Sequence, residues 1–307
     1  MRLLQHAAEL NAGNRGASAA IGVFDGVHLG HREIVRCTVE AARELDAEAV
    51  VVTFDRHPNA VVAPDRVPPR IGTLESRLES LAALGVDAVL LIRFDAEFSR
   101  QSGEAFIRSL AAGFGRIRNL CVGADFTFGH RRSGNLALLE SLGVSMGFRV
   151  QGLAPVTVDG APVSSTRIRE LIRAGDLPGA GRLLGRPYAL GGRVMEGDRL
   201  GRKLGFPTAN LDVAGMVLPP NGVYAGTAAL SGARHPAVMN LGLRPTVGAA
   251  EPSLRAEVHL LDFSGDLYGR NLEFEPVAKL RDEMKFGSLQ ELETQIARDV
   301  QAARQRL

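Results

Sequence analysis

The fold of the first half of the chain is decided by residues 17–31, which read ASAAIGVFDGVHLGH. Residues 17–24 form an apolar run of strand length. The residues after this run have a helical pattern, with Ile34, Thr38 and Ala41 on one stripe. Because a buried strand that turns directly into an amphipathic helix is typical of a βαβ unit, the stretch predicts an α/β fold.

The alternation of strands and helices continues outward from this stretch. Further apolar runs of strand length lie at 50–54, 86–94, 117–122 and 148–153. Amphipathic helical patterns separate these runs. Near-continuous apolar strands joined by helices indicate a doubly wound parallel sheet that is covered on both faces and binds ligands at the carboxyl ends of its strands.

The pattern changes near Gly185. After helical segments at 166–173 and 177–184, strand-like runs follow at 188–195, 223–230, 236–241, 255–261 and 272–277. Turns rich in Gly, Pro and Asn separate them, as in an antiparallel β-barrel. Ser288 and Glu291 have capping-box spacing and predict a terminal helix that packs on the barrel. We therefore predict two domains, residues 1–184 and residues 185–307.

Composition and charge limit the function classes. With 307 residues, 45% hydrophobic and 23% charged, the chain resembles a soluble globular protein of two domains. No run approaches the roughly 20 apolar residues of a membrane span, and the first residues lack the pattern of a secretory signal. Two cysteines, Cys37 and Cys121, are too few for a disulfide framework or a cysteine zinc site. A net charge of +2 gives no reason to expect nucleic acid, so we predict a cytoplasmic protein without nucleic-acid or membrane partners, and leave self-association open.

The first candidate site is the turn at residues 22–31, called the phosphate turn below. Backbone N–H groups and the positive end of the helix dipole form an anion site there, and Gly26 and Gly30 allow a phosphate to approach closely. His28 and His31 lie three positions apart, so both can donate to a phosphate chain from one side of the first helical turn, as adenylyl transfer requires. The predicted phosphate contacts also include Gly22, Phe24 and Asp25.

A second element supports the first. Residues 28–31 read HLGH and residues 163–169 read VSSTRIR, and with these the chain resembles the H-x-G-H nucleotidyltransferases and, within them, the bifunctional bacterial riboflavin kinase/FAD synthetases. The resemblance runs over residues 17–300. The second element resembles the family's Ser-Ser-Thr-x-Ile-Arg motif, which implies phosphate contacts from Ser164, Ser165, Thr166 and Arg169. Hydroxyls can cap the helix, while an arginine one turn inside it can reach the charge on the leaving pyrophosphate.

Two loops that follow strands resemble the flavin side of this site. They are residues 53–58, TFDRHP, and residues 123–129, GADFTFG. The resemblance implies flavin contacts from His57, Asp125 and Phe128. Aromatic rings beside a polar side chain suit a flat heteroaromatic ring, although core packing is an alternative interpretation of Phe126 and Phe128. Val23 departs from the family, which usually has Asn there.

The second candidate site lies in residues 197–210, GDRLGRKLGFPTAN, which resemble the phosphate loop and Pro-Thr-Ala-Asn motif of riboflavin kinases. Glycine-rich backbone can surround a phosphate, and the predicted contacts are Gly201, Lys203 and Gly205. The hydroxyl of Thr208 and the amide oxygen of Asn210 are hard ligands suited to Mg²⁺ that keeps most of its waters. The Gly-Lys-Ser/Thr order of a Walker A motif does not occur here.

The resemblance also assigns the catalytic base of the kinase to Glu257, within AEVHLLDF at residues 256–263. Residues 280–286, LRDEMKF, resemble a flavin-covering loop in which Arg281 is the expected contact. The segment 240–247 departs from the family, with Val247 where an aromatic is common.

The resemblance implies two ATP-dependent reactions that share a flavin. Residues 185–307 would phosphorylate riboflavin to FMN, and residues 1–184 would adenylylate FMN to FAD, with ATP as co-substrate and Mg²⁺ as the metal. Riboflavin, FMN and ATP are thus the expected small-molecule partners.

Other interpretations account for less of the sequence. An H-x-G-H enzyme for another acceptor, such as a nicotinate or pantetheine adenylyltransferase, leaves the predicted barrel without a role. An aminoacyl-tRNA synthetase would need a larger and more basic RNA-binding surface. A flavin-sensing binding protein would not require the transfer groups, which are His28, His31, Thr208, Asn210 and Glu257. Incubation with riboflavin, ATP and Mg²⁺ distinguishes these alternatives by turnover.

Overall fold

The computed structural model describes residues 1–13, 15–197, 201, 204–244 and 253–307. This part of the chain divides into two compact units. The first contains Met1–Pro69 and Leu74–Ser165, and the second contains Arg70–Thr73 and Thr166–Leu307. Each unit has a hydrophobic core of its own. The domain limits expected from the sequence, 1–184 and 185–307, stay a prediction, because contacts within the chain group residues 166–184 with the second unit.

Six strands form the sheet of the first unit. They are β1 (Arg2–Leu4), β2 (Ala17–Ile21), β3 (Glu48–Phe54), β4 (Ala88–Ile92), β5 (Ile117–Gly123) and β6 (Arg149–Leu153). All five pairs are parallel, in the order β1-β4-β3-β2-β5-β6. The chain moves outward from β2 to β3 and β4, and then places β5 on the other side of β2. The strand order therefore reverses between β2 and β5, and α/β sheets bind ligands at the carboxyl ends of strands at such a point.

Helices cover both faces of this sheet. The first unit contains α1 (Leu29–Glu44), α2 (Asn59–Val62), α3 (Leu74–Ala82), α4 (Gly103–Phe114) and α5 (Leu136–Met146). All of these except the short α2, which has no buried residue, contribute side chains to the two cores. The strands read as continuous apolar runs because successive side chains enter opposite cores. Along β3, Val50 and Val52 belong to the cluster packed against α4 and α5, whereas Val51 belongs to the cluster packed against α1 and α3. The predicted doubly wound sheet is confirmed.

Short elements follow the sheet. A hairpin is formed by β7 (Thr157–Val158) and β8 (Ala161–Pro162), and Asp159 and Gly160 at its turn both have positive φ, as a two-residue type I′ turn requires. Two helices come next, α6 (Ser165–Ala174) and α7 (Leu177–Leu184). The second begins at the cap Asp176, whose carboxylate accepts from the N–H of Gly179 at 2.8 Å.

The second unit contains a closed antiparallel barrel. Its strands are β9 (Leu190–Met195), β10 (Ala209–Leu211), β11 (Gly222–Leu230), β12 (Ala233–Arg244), β13 (Ser253–Leu260) and β14 (Asn271–Arg281). They close in the order β10-β13-β12-β11-β14-β9, with β10 paired to β9. The predicted barrel is confirmed, but the sequence did not indicate β10, because three residues are too few to show a period-2 pattern.

The terminal helix α8 (Leu289–Arg304) starts where the capping box predicts. The Ser288 hydroxyl accepts from the N–H of Glu291 at 3.2 Å, and the Glu291 carboxylate accepts from the N–H of Gly287 at 2.9 Å. Val300 and Ala303 on the helix pack with barrel residues in one apolar cluster. Among the residues that the structure describes, no helix is long and apolar enough to span a membrane.

Candidate active sites

The phosphate turn joins β2 to α1 in a backbone conformation that non-glycine residues seldom adopt. Phe24 has φ 52°, Gly26 has φ 80° and Val27 has φ 42°. Positive φ at a residue with a Cβ costs about 1 to 3 kcal/mol and is least favourable for a β-branched side chain such as that of Val27. Such a turn is stable only when contacts with neighbouring residues compensate for this cost.

Side chains from three other elements hold the turn. The carbonyl of Val23 accepts from Nη1 of Arg77 at 2.8 Å and from the hydroxyl of Thr53 at 3.2 Å. The carbonyl of Asp25 accepts from the hydroxyl of Ser165 at 3.1 Å. Ser165, which we predicted to contact phosphate, therefore braces the turn, and its contact with phosphate stays a prediction.

The two histidines of the phosphate turn lie against each other, as their spacing indicated. His28 caps α1, and its Nδ1 accepts from the N–H of His31 at 3.3 Å. In the uncharged ring the proton is then on Nε2, which can donate to a ligand. The imidazoles of His28 and His31 stack with centroids 3.6 Å apart and planes inclined by 16°. A Cβ at Gly30 would approach the His28 ring to 3.3 Å, so glycine leaves room for this ring.

His31 has a lowered pKa and a buried ring nitrogen that makes no hydrogen bond. Its pKa is lowered well below the ordinary histidine value, first by burial and then by electrostatic interaction with His28 and with Arg77. Its Nδ1 is buried without a hydrogen-bond partner. An uncharged imidazole with an open buried nitrogen can exchange a hydrogen bond with a ligand, which would remove the cost of the unpaired atom.

The other sequence elements of the first unit follow the two strands beside β2. His57 comes after β3, and its Nδ1 accepts from the N–H of Asn59 at 3.1 Å. Asp125 comes after β5 and is exposed. The carboxyl ends of β3, β2 and β5 lie side by side, so the fold brings three separate sequence elements to one edge of the sheet.

The aromatic rings of the loop after β5 pack against the core. Phe126 and Phe128 stack at 5.2 Å with planes inclined by 14°, and Phe128 meets the edge of Phe106 at 6.2 Å. Phe128 also exchanges two backbone hydrogen bonds with Gly134, of 3.0 and 2.8 Å. Both rings are therefore packing residues in this structure. The flavin contact of Phe128 stays a prediction.

The Ser-Ser-Thr-x-Ile-Arg element forms the start of α6. Thr166 lies in its first turn, and Arg169 follows three residues later. Arg169 is only 7% exposed, which excludes the interpretation of a solvent-facing arginine. A buried guanidinium must be paired with hydrogen-bond acceptors or an anion. Its burial is therefore compatible with the predicted phosphate contact.

A cavity of about 310 Å³, the barrel cavity, lies in the second unit. Five residues predicted for the kinase site line it: Gly201, Thr208, Asn210, Glu257 and Arg281. Gly205 is exposed on the adjoining loop. Lys203, the remaining predicted phosphate contact, lies outside the described residues, as does Val247.

Three polar residues form a row across adjacent strands of the barrel. Asn210 on β10 is opposite Glu257 on β13, and Glu257 is opposite Asn240 on β12. Directly paired residues project from the same face of a sheet, and all three line the barrel cavity. We call them the polar row. Asn240 was not among the predicted site residues, because its position opposite Glu257 depends on strand pairing.

The metal expected from the sequence suits the residues present. Oδ1 of Asn210 is buried without a hydrogen-bond partner, so a cation at this oxygen would satisfy an otherwise unpaired acceptor. The described residues contain no group of three or more His, Cys, Asp or Glu side chains that could hold a metal ion by themselves. Mg²⁺ commonly binds through one or two protein oxygens, its waters and substrate phosphates, so Asn210 and Thr208 fit this mode.

The side chain of His259 connects β13 to the Pro-Thr-Ala-Asn segment. Nδ1 of His259 lies 2.7 Å from the carbonyl of Pro207, so this nitrogen carries the proton and donates. The edge of the ring also meets Phe206, with centroids 5.7 Å apart. The Pro-Thr-Ala-Asn segment, which contains Thr208 and Asn210, is thereby fixed to the strand that carries Glu257.

Arg281 is committed to an ion pair in the same cavity. Its Nε and Nη2 donate to the carboxylate of Asp299 on α8 at 2.8 to 3.1 Å, and its Nη1 donates to the carbonyl of Asp282 at 2.9 Å. Gln295 donates to the same carboxylate at 2.9 Å. Asp299 lines the cavity but was not predicted from the sequence, where it reads as one polar residue on a helix.

The fold and these two sites define an ATP-dependent transferase with two units, a nucleotidyltransferase sheet and a kinase barrel. The family model described as FAD synthetase matches residues 10–167, and the model described as riboflavin kinase matches residues 184–307. The chain belongs to the bifunctional riboflavin kinase/FMN adenylyltransferase family.

Curated relatives of that description cover nearly the whole chain. The protein of Escherichia coli K12 is 41% identical over 295 residues, which are 96% of this chain and 94% of the relative. The protein of Pseudomonas fluorescens is also 41% identical and covers 99% and 97% of the two chains. A crystal structure described as a macrolide-efflux protein from Streptococcus pneumoniae has a TM-score of 0.79 and 29% identity, with 98% of both chains covered.

The predicted activities are confirmed by this membership. The protein phosphorylates riboflavin to FMN with ATP and transfers an adenylyl group from ATP to FMN, giving FAD and pyrophosphate. The match to both units removes the alternative of an H-x-G-H enzyme for another acceptor, which left the barrel without a role.

Proposed function

We propose that the two reactions take place at two separate sites, FMN adenylylation at the phosphate turn and riboflavin phosphorylation in the barrel cavity. One observation carries this assignment. Among the described residues, each of the two compact units has a buried polar atom without a partner at its predicted site, Nδ1 of His31 in one and Oδ1 of Asn210 in the other. The corresponding domains are residues 1–184 and 185–307.

At the phosphate turn, an oxygen of the FMN phosphate attacks the α phosphorus of ATP as the bond to the pyrophosphate oxygen breaks. Nε2 of His28 and the uncharged ring of His31 donate to the phosphate chain, beside the backbone N–H groups at the start of α1. The backbone at Gly22, Phe24, Asp25, Gly26 and Gly30 surrounds the phosphates. Ser164, Thr166 and Arg169 stabilise the leaving pyrophosphate, and His57, Asp125 and Phe128 contact the flavin.

In the barrel cavity, the carboxylate of Glu257 accepts the proton of the terminal hydroxyl of riboflavin as that oxygen attacks the γ phosphorus of ATP and ADP leaves. Thr208 and Asn210 would hold Mg²⁺, and Gly201, Lys203 and Gly205 would surround the phosphates. Mg²⁺, when bound, neutralises phosphate charge. Asn240 flanks the carboxylate of Glu257 in the polar row and can orient it. Arg281 contacts the flavin.

Mixing two single-site variants tests the assignment. Glu257→Gln alone should leave riboflavin unchanged, and His31→Ala alone should stop at FMN. An equal mixture of the two variants should convert riboflavin to FAD, because each supplies the site that the other lacks. A mixture that makes no FAD, although each variant retains one activity, would count against two independent sites.

We further propose a cytoplasmic location, since both reactions consume ATP, and no nucleic-acid or membrane partner, since the net charge is only +2. Cell fractionation tests the location. Sedimentation of the protein with and without flavin tests self-association.

A further inference from the structure

Arg77 on α3 joins the ends of two neighbouring strands at the adenylylation site. Its Nη1 donates to the carbonyl of Val23, in the phosphate turn, at 2.8 Å. Its Nη2 donates to the carbonyl of Phe54, the last residue of β3, at 2.7 Å. One guanidinium therefore spans the carboxyl edge of the sheet beside the point where the strand order reverses.

This contact lies where the turn needs support. Val23 immediately precedes Phe24, the first of the two non-glycine residues of the phosphate turn that have positive φ. The only other side-chain donor recorded for its carbonyl within the described residues is the neutral hydroxyl of Thr53, at 3.2 Å. The bond from Arg77 is shorter and comes from a charged donor, which makes it the stronger of the two. The planar fork of an arginine can reach both carbonyls at once, whereas a lysine ammonium is a single point of charge.

The charge of Arg77 also acts on the histidine pair. The titratable and charged groups that influence His31 are His28, at the start of its own helix, and Arg77, from α3. Both oppose a positive charge on His31 and act in the same direction as its burial. Two stacked imidazoles beside a guanidinium cannot all be cationic without strong repulsion.

We propose that Arg77 is a positioning residue for FMN adenylylation: its fork holds the phosphate turn against the end of β3, and its charge acts on the stacked histidine pair. The inference rests on the proposed function of the phosphate turn, but it assigns a role to a residue that does not itself contact the reacting phosphates. The positioning role and the electrostatic role can be separated. The hydrogen bonds to the two carbonyls need the fork of the guanidinium, whereas the effect on the histidine pair needs only a positive charge.

Two substitutions separate these roles in the full-length enzyme. Arg77→Met removes the fork and the charge, whereas Arg77→Lys keeps the charge. Arg108→Met is the matched control, since Arg108 is exposed on α4 and paired only with Glu104 among the described residues. The rates of FMN adenylylation and riboflavin phosphorylation are measured from about pH 5 to about pH 9.

Arg77→Met should lower the adenylylation rate by about tenfold to a hundredfold, because small displacements of catalytic groups have effects of this size. It should also move the acid limb of the pH profile upward by up to about one pH unit, because a positive neighbour of His31 is lost. Arg77→Lys should lower the rate but leave the acid limb in place. Phosphorylation should stay unchanged in both variants, and Arg108→Met should behave like wild type.

The His31 ring gives a second measurement that does not depend on activity. An NMR titration of its Cε1 proton should show a higher pKa in Arg77→Met than in wild type, and the wild-type pKa in Arg77→Lys. If Arg77→Met does not fold, Arg77→Lys still tests the geometry, and wild-type adenylylation by this variant would overturn the positioning role. An unchanged acid limb and an unchanged ring titration in folded Arg77→Met would overturn the electrostatic role.

A third variant separates this inference from the proposed function. If His31→Gln adenylylates FMN normally, the assignment of the phosphate turn is wrong. If His31→Gln is inactive while Arg77→Met resembles wild type, only the role of Arg77 is wrong.

Discussion

The guanidinium of Arg281 donates hydrogen bonds to both carboxylate oxygens of Asp299, with N–O distances between 2.8 and 3.1 Å, at the wall of the barrel cavity. The pair joins the end of β14 to α8. Asp299 is 5% exposed, so its charge depends on Arg281 and on Gln295 for compensation. A second Arg–Asp pair, Arg304 with Asp262, has the same two-point geometry on the surface, where the Asp262 side chain is 73% exposed.

The two pairs should respond differently to the same substitution. Asp299→Asn removes one partner of a buried pair and should lower the free energy of unfolding by about 3 to 5 kcal/mol. It should also raise the riboflavin concentration needed for phosphorylation, because Arg281 lines the cavity. Asp262→Asn should change both quantities little, since water screens an exposed pair. Calorimetry and phosphorylation assays of the two variants check this, and equal losses would contradict a special role for the buried pair.

Loss of the carboxylate in the polar row should remove only the first reaction. Glu257→Gln should slow FMN formation by about a hundredfold to a thousandfold, equivalent to about 2.7 to 4 kcal/mol, and leave adenylylation of added FMN intact. His28→Ala and His31→Ala should have the reverse effect. Glu293→Gln, an exposed carboxylate on α8, is the control. The two assays are run on each purified variant, and loss of both activities in folded Glu257→Gln would refute the assignment of separate sites.

The buried oxygen of Asn210 predicts a specific metal effect. Asn210→Ala should raise the Mg²⁺ concentration required for phosphorylation far more than that required for adenylylation, because a metal ligand of only one reaction is removed. Asn240→Ala is the matched control, since Asn240 lies on the other side of Glu257 in the polar row and is not a proposed ligand. Mg²⁺ titrations of both activities provide the measurement. Similar shifts for the two variants would remove Asn210 from the ligand set.

The lowered pKa of His31 makes stability depend on pH in a defined direction. In the unfolded chain this histidine has a pKa of about 6.5, whereas in the folded protein its pKa lies well below that value. Between the two pKa values the unfolded chain binds a proton that the folded protein does not bind, so stability falls as the pH is lowered through this window. The slope from this one group is at most about 1.4 kcal/mol per pH unit.

Unfolding measured at several pH values checks this prediction. His31→Gln cannot take up the proton, so its stability should decline less than that of wild type between about pH 7 and the folded pKa. The histidines that do not contact His31 contribute equally in both proteins and cancel in the difference. Parallel curves for the two proteins would mean that His31 is not held uncharged.

FMN should leave the barrel cavity before it is adenylylated. Each reaction needs its reacting atoms within about 3 to 3.5 Å, and the phosphate turn lies in the first compact unit whereas the barrel cavity is lined by residues of the second, so we expect that one bound flavin cannot serve both reactions. Labelled riboflavin supplied with a large excess of unlabelled FMN should give FAD that carries almost no label. Strong labelling of the earliest FAD would instead indicate direct transfer between sites.

Local sequence determined the elements of this protein and the position of its motifs. The apolar runs of β2 to β5 predict strands because each is buried on both faces, and Ser288 and Glu291 mark the start of α8 because a capping box is satisfied within one turn. The phosphate turn was found for the same reason, since a strand, a turn and a helix N-terminus are contiguous in the chain. These signals depend on neighbours within a few residues.

The tertiary structure alone decided which distant residues share a site. Asn240 lies opposite Glu257 only because β12 and β13 pair in one register, and β10 becomes a strand only because the barrel closes around it. Arg77 reaches Val23, and Asp299 reaches Arg281, across 54 and 18 positions of the chain. No local period encodes such contacts, because they arise when the packing of buried faces brings strand ends and helices together, and the sequence around each residue is compatible with many partners.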